Sequence, residues 1–415
     1  MKNVRCRLLT ATALTVGLMG ASSAGAVTIN LNNTGGAEVG TNAYMGFTKA
    51  ANFWSKVLTN DVTINLNVGF TALGPGILGS TNSPRVGVLT EDVEFLLNAN
   101  QTSALDAQAV ANMPTLDAGG SLNVITNGYD DPLAKTGVNT SERVFDVDDS
   151  ANNFGLAITR ANAKALGFTG LTGPDASITF SSGFAFDFDP TDGISDSSYD
   201  FIGVAIHEIG HALGFISGVD TYDILGNLGP ASGDDRNFNG FVINSVLDLY
   251  RYSSDPDDVA PGAGPALDWS VGGNPYFSLD KGATVFSLGG LDGYFSTGQF
   301  NGDGRQASHW KDNTYAGGAV CSNASSTPVG ILDPTSGRCE ALGITAMDMA
   351  AFDAMGWNTD IDVLTNGGYF ASTASVFNDS FGVPEPATWM QMILGFGLLG
   401  SAARVRRRAY ARVRT

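Results

Sequence analysis

Apolar residues occupy every second position in Val62, Ile64, Leu66, Val68 and Phe70, the period of a strand with one buried and one wet face. A second strand is predicted over Ile178, Phe180, Phe184, Phe186 and Phe188, with Gly183 an irregularity inside it. Helical periodicity runs through residues 41–58, 89–98, 103–113 and 151–166. Phe201, Ile202, Val204, Ala205, Ile206 and Ile209 supply apolar faces all round, which predicts a buried helix. Asp200 or Ser198 caps its start and Gly214 its end. From residue 215 to 343 glycine is frequent and periodicity faint, so this stretch reads as irregular. No internal repeat or separate binding module stands out, and residues 358–382 read as a linker. The order of elements predicts one α+β domain over residues 27–357, with a mixed-sheet upper part, a central buried helix and an irregular lower part.

The two ends of the chain carry targeting signals. Lys2, Arg5 and Arg7 precede an apolar run from Leu8 to Met19, and Ala24-Gly25-Ala26 offers a small-residue cleavage site, so residues 1–26 read as a secretory signal peptide. The mature chain then begins at Val27. Near the other end Val383-Pro384-Glu385-Pro386 precedes an apolar stretch from Ala387 to Ala403, followed by Arg404, Arg406, Arg407, Arg408, Arg412 and Arg414. At a rise of about 1.5 Å per residue the stretch just crosses a bilayer, with the arginines held on the cytoplasmic side. These features together resemble the PEP-CTERM sorting tail of Gram-negative bacteria. That resemblance implies an exosortase-type sorting enzyme as partner and delivery to the cell surface or beyond; a plain tail anchor is the other reading of residues 383–415.

Charge and cysteine usage agree with export. Lys and Arg total 22 and Asp and Glu 41; leaving out residues 1–26 and 384–415 leaves 13 basic against 40 acidic side chains, a balance of −27. Such a surface argues against nucleic acid and anionic membranes as partners. Cys6 departs with the signal peptide, and Cys321 and Cys339 are expected to pair in an oxidising compartment. That disulfide would restrain its loop by about 3 kcal/mol.

The chemistry lies in the buried helix. Its residues 207 to 215 read His-Glu-Ile-Gly-His-Ala-Leu-Gly-Phe, and on a helix His207 and His211 project from one face, close enough to grip one metal. A catalytic zinc takes three protein ligands and keeps a fourth position for water, from which Glu208 would take a proton. Where the strict metzincin pattern has its third histidine this chain has Ser217, and the later glutamates are only Glu340 and Glu385. His309, in the polar loop Gly302-Asp303-Gly304-Arg305-Gln306-Ala307-Ser308-His309-Trp310, is the expected third ligand, with Asp220 as a substitute carboxylate.

A zinc helix followed at a distance by His-Trp resembles the leishmanolysin branch of the metzincins. The resemblance spans residues 60–357, with its specificity concentrated in the motifs quoted. It implies His207, His211 and His309 as ligands, Glu208 as the base, and a methionine turn beneath the metal. The matching stretch is Gly330-Ile331-Leu332-Asp333-Pro334, with Leu332 at the methionine position and Met347 a second candidate floor. Residues 344–357, ending Met355-Gly356-Trp357, resemble the helix that closes a metzincin catalytic domain, with Thr345 and Asp348 forming a capping box.

These motifs predict an exported zinc endopeptidase acting on protein or peptide substrates, the alternative being a non-catalytic zinc-stabilised surface or matrix protein. A backbone group, Tyr294 or Tyr315 would face the oxyanion. Asp187, Asp189 and Asp192, with Asp196 nearby, form a candidate calcium run, and Asp255-Pro256-Asp257-Asp258 a second; solvated turns are the equal alternative.

Overall fold

The first half of the chain builds a sheet whose helices cross over it. Strand β1 (Thr28–Gly35) leads through helix α1 (Asn42–Val57) to β2 (Thr63–Thr71), β3 (Gly79–Asn82), β4 (Arg85–Leu89), α2 (Thr90–Ala99) and α3 (Ala104–Ala111). Next come β5 (Val124–Gly128), β6 (Asn139–Asp146), α4 (Ala151–Phe154), β7 (Gly155–Thr159), α5 (Arg160–Leu166) and β8 (Ala176–Ser181). The site helix α6 (Phe201–Leu213), α7 (Val219–Leu228) and α8 (Ala346–Ala354) follow. This computed structural model describes residues 25–229, 237–254, 259, 264–313, 321 and 328–379. Most of the leader, the arginine-rich tail, Tyr315 and the run Asp255–Asp258 lie outside the described residues. Among those described, helix is 28% and strand 25%, which places the fold in the α+β class. No helix among them is long and apolar enough to cross a membrane.

The upper sheet runs β1-β2-β8-β3, with β3 antiparallel at one edge and the other three parallel. Ile64, Leu66 and Val68 are buried on one face of β2, as their alternation predicts. One repeat does exist, contrary to the expectation of none. Val27–Asn32 and Val62–Asn67 both read Val-Thr-Ile-Asn-Leu-Asn, and β1 lies parallel and in register on β2, Ile29 on Ile64 and Leu31 on Leu66. On the other face Asn30 donates to Asn65 at 3.0 Å and Asn32 to Asn67 at 2.8 Å.

Three other expectations change. Residues 151–166 are not one helix: Gly155–Thr159 pairs antiparallel with β4 and buries Leu156 and Ile158, because cross-strand pairing outweighs helical preference in so short an apolar run. The strand over 178–188 stops at Ser181, and only Phe186–Asp187 resumes pairing, with Tyr199–Asp200. Phe188 and Phe186 also cover the start of α6, their rings 4.6 and 5.3 Å from that of Phe201. Residues 358–379 are not a linker, since Phe370–Ser372 pairs with Gly343–Thr345 and Ile361, Val363, Ala371 and Val376 are buried.

The lower region carries more order than its composition suggests. Arg251–Ser253, Ala266–Asp268 and Tyr276–Phe277 join β5 and β6 in a five-stranded sheet. Helix α6 packs against α1 and the β3 and β8 strands of the upper sheet and is buried almost throughout. Phe47 and Phe201 flank Phe180 at 4.9 and 4.7 Å, and each such ring contributes roughly 1.5–3 kcal/mol on burial. Trp54 donates its indole N–H to the carbonyl of Ile206 at 3.0 Å, and Trp357 donates to that of Leu213 at 2.9 Å. The second bond satisfies a carbonyl at the helix end, so the helix is held along its length.

Candidate metal centre

Asp200, rather than Ser198, caps α6. One carboxylate oxygen accepts from the Gly203 N–H at 3.0 Å, and the other accepts from Leu342 N at 3.1 Å and Thr373 Oγ1 at 2.6 Å. The cap therefore ties the helix start to the segment before α8. Burial pushes the Asp200 carboxyl up to about 6.

One turn apart, His207 and His211 bring their Nε2 atoms to 3.0 Å, and His309 completes the triangle at 3.1 Å from His211 and 3.2 Å from His207. Each ring's Nδ1 meets a backbone carbonyl: Ile331 at 2.8 Å, Phe215 at 2.7 Å and Gln306 at 3.1 Å. The carbonyls accept, so the ring hydrogens sit on Nδ1 and all three Nε2 atoms present lone pairs. Three lone pairs facing one another repel, and a cation between them removes the repulsion. Tetrahedral zinc with Zn–N of 2.0–2.1 Å would hold its nitrogens about 3.3 Å apart, close to the spacing found. Burial pushes His207 down to about 3, with His211 adding to the effect, and His211 down to about 4; burial also holds His309 well below the usual histidine range. The three rings form a group able to hold a metal ion.

The His309 loop is fastened by residues the sequence presents in other roles. Asp220 is not a substitute ligand: its carboxylate accepts from Ala307 N at 2.6 Å, Ser308 N at 3.2 Å and the Ser308 hydroxyl. Ser217, at the position of the strict pattern's third histidine, donates its backbone N–H to Ser308 Oγ at 2.8 Å and its hydroxyl to Asp248 at 2.6 Å. Glu340 stands apart, accepting from Gly337 N at 2.6 Å.

Beneath the rings the turn from Gly330 to Asp333 closes through Asp333 N to Gly330 O at 3.2 Å. Leu332 is fully buried, and its methyl carbons lie 3.2 Å from where a Cβ on Gly210 would stand. A side chain at 210 would make Leu332 give way by a few tenths of an ångström. Met347 packs against Gly293, whereas Leu332 packs against α6 at Gly210. Asp348 forms the expected capping box with Thr345 and also accepts from Ile331 N at 2.8 Å and Trp310 Nε1 at 3.0 Å. It thereby joins the Gly330–Asp333 turn, the residue after His309 and α8. This wider role has no sequence signature, because the partners are far apart along the chain.

Glu208 is buried beside the ligands, and its carboxyl is pushed up to about 7 by burial, opposed by a hydrogen bond from Thr81 Oγ1 at 2.7 Å. Thr81 is a site residue that sequence reasoning missed. The histidines and Glu208 line an open cleft of about 740 Å³, with β3 on one wall and Arg305, Gln306 and residues 333–336 on the other. Among the described residues no tyrosine lines it; Tyr294 packs on Tyr276, ring centres 6.2 Å apart.

Cys321 and Cys339 form the expected disulfide, with Cα atoms 5.0 Å apart. Asp187 accepts from Asp189 N at 2.9 Å and Ser195 N at 2.7 Å, and Asp189 from Thr191 N at 3.1 Å. These bonds make turns, and Asp187, Asp189 and Asp192 do not converge as a metal-holding group among the described residues. Asp196 lies by the disulfide, accepting from Cys321 N at 2.9 Å. Compared with known proteins, the chain matches no family model, no curated protein and no solved structure.

Proposed function

We propose that this chain is an exported zinc-dependent endopeptidase of metzincin type, similar to the leishmanolysin branch in its distant third histidine. The observation that carries this reading is the convergence of three neutral imidazoles beside a buried carboxylate at the bottom of an open cleft. An all-nitrogen trio suits zinc, and three ligands leave a coordination position for solvent. When bound, zinc would supply Lewis acidity and draw the pKa of a water in the cleft toward neutrality. Glu208 accepts the proton as that water attacks the scissile carbonyl, and returns it to the departing amine. The carbonyls of Ile331, Phe215 and Gln306 keep the three rings turned inward throughout. A purely structural zinc would need neither Glu208 nor the open cleft, so both favour the enzyme over the matrix protein.

Purified mature protein is expected to cut casein or gelatin, to stop after chelation, and to recover with one equivalent of zinc. Zinc-loaded protein that cuts no protein substrate would overturn the peptidase reading. The sorting reading of the tail makes a separate prediction: the chain recovered outside the cell lacks residues beyond about 386, by mass spectrometry. A mature form still carrying Arg404 to Arg414 would make the segment a permanent anchor.

A further inference from the structure

We infer that edge strand β3 positions the general base, with Thr81 holding one carboxylate oxygen of Glu208 and Gly79 leaving room for the other. The inference rests on the peptidase reading and adds to it two residues outside the metal motif. Residues 79 and 81 lie two apart on a strand and so share a face. Pairing of Gly79 with Phe180 and of Thr81 with Ile178 sets β3 against β8, and the shared face of β3 meets Glu208. Thr81 Oγ1 stands 2.7 Å from Glu208 Oε2 and 2.9 Å from the Glu208 carbonyl oxygen. Its single proton goes to the nearer, charged acceptor when the carboxylate is ionised. Among the described residues no other side chain hydrogen-bonds that carboxylate.

Gly79 matters for the opposite reason. A Cβ there would stand 2.8 Å from Glu208 Oε1 and 3.0 Å from its Cγ, and the Phe180 ring at 3.1 Å closes the other side. An added methyl must therefore push the carboxylate away from its place. Glutamate has three side-chain torsions, and freezing them is entropically costly. A bond to one oxygen and a shaped gap for the other hold a single orientation, with Oε1 left to exchange a proton. Thr81 is not one of the three residues grouped to hold a metal and its hydroxyl bonds Glu208, so it acts through Glu208 as a positioning residue.

Thr81→Val keeps the shape and removes the hydroxyl; Thr81→Ser keeps the hydroxyl; Gly79→Ala fills the gap. With zinc-loaded full-length mature protein and a peptide substrate, Thr81→Val is expected to lower kcat about 10–100-fold with KM within about twofold. Zinc content should stay at one equivalent. Thr81→Ser should recover kcat to within about threefold, and Gly79→Ala should lose it much as Thr81→Val does. Crystal structures of the zinc-bound Thr81→Val and Gly79→Ala proteins should show the carboxylate rotated from its wild-type position. Wild-type kcat in Thr81→Val, a loss that Thr81→Ser does not rescue, or an unmoved carboxylate in the crystal would overturn the inference. If wild-type protein cuts nothing, the peptidase reading fails, and the carboxylate's orientation in those crystals still decides whether β3 holds it.

Discussion

Replacing Glu208 with glutamine is expected to reduce protein cleavage by about 10³-fold or more while zinc content stays at one equivalent and Tm moves by no more than about 2 °C. The carboxamide has the same shape, and its oxygen can still accept from Thr81 Oγ1, now 2.7 Å from Glu208 Oε2. What it lacks is the basicity to take a proton from water. The three Nε2 atoms are untouched, since each is oriented by its own backbone carbonyl rather than by Glu208. Casein cleavage, zinc by elemental analysis and a thermal melt are measured on the same preparation. Full activity in the glutamine variant would remove Glu208 from the mechanism, and loss of zinc would assign it a structural role instead.

His309→Ala is expected to lose zinc almost as completely as His211→Ala, because two imidazoles cannot replace a three-ligand site. Asp220→Ala should behave differently. Its carboxylate holds the Ala307 and Ser308 amides and the Ser308 hydroxyl, so it orients the third ligand without touching the metal position. Outer residues of this kind typically cost 10–100-fold in affinity. The Asp220 variant should therefore still bind one equivalent at saturating zinc, with affinity weakened by about 10–100-fold in a competition titration. A His309 variant that keeps its zinc, beside an Asp220 variant that cannot be loaded, would reverse the two assignments.

How much of this site the sequence discloses depends on how local each feature is. His207, Glu208 and His211 are legible because helical spacing alone brings them together. His309 is legible because the chain has only three histidines. The helices at Asn42–Val57 and Thr90–Ala99 and the strand at Thr63–Thr71 follow their own periodicity. Thr81, Asp220 and Asp348 are not legible as site residues. Each is an ordinary polar residue locally, and each gains its role from a partner 87 to 127 positions away or, for Asp348, from Trp310 38 positions away. The strand at Gly155–Thr159 was hidden for the same reason, since its character comes from Arg85–Leu89 beside it. At 187 and 189 the sequence leaves a cation site and solvated turns level, because only the fold shows these carboxylate oxygens closing turns.

The third ligand stands 98 residues from the second. In an unordered chain, closing a loop of that length costs about 2.5 kcal/mol more than closing one of about six residues, the spacing of the strict pattern. Before folding, then, the polypeptide offers a metal little beyond a pair of neighbouring imidazoles. The complete trio exists only once the lower sheet, the Asp220 clasp and the Asp348 junction have closed around it, so affinity for the ion belongs to the finished tertiary structure. Under the proposed reading of an exported protease, this topology is a safeguard: an unfolded chain in transit carries the motif without carrying an active centre.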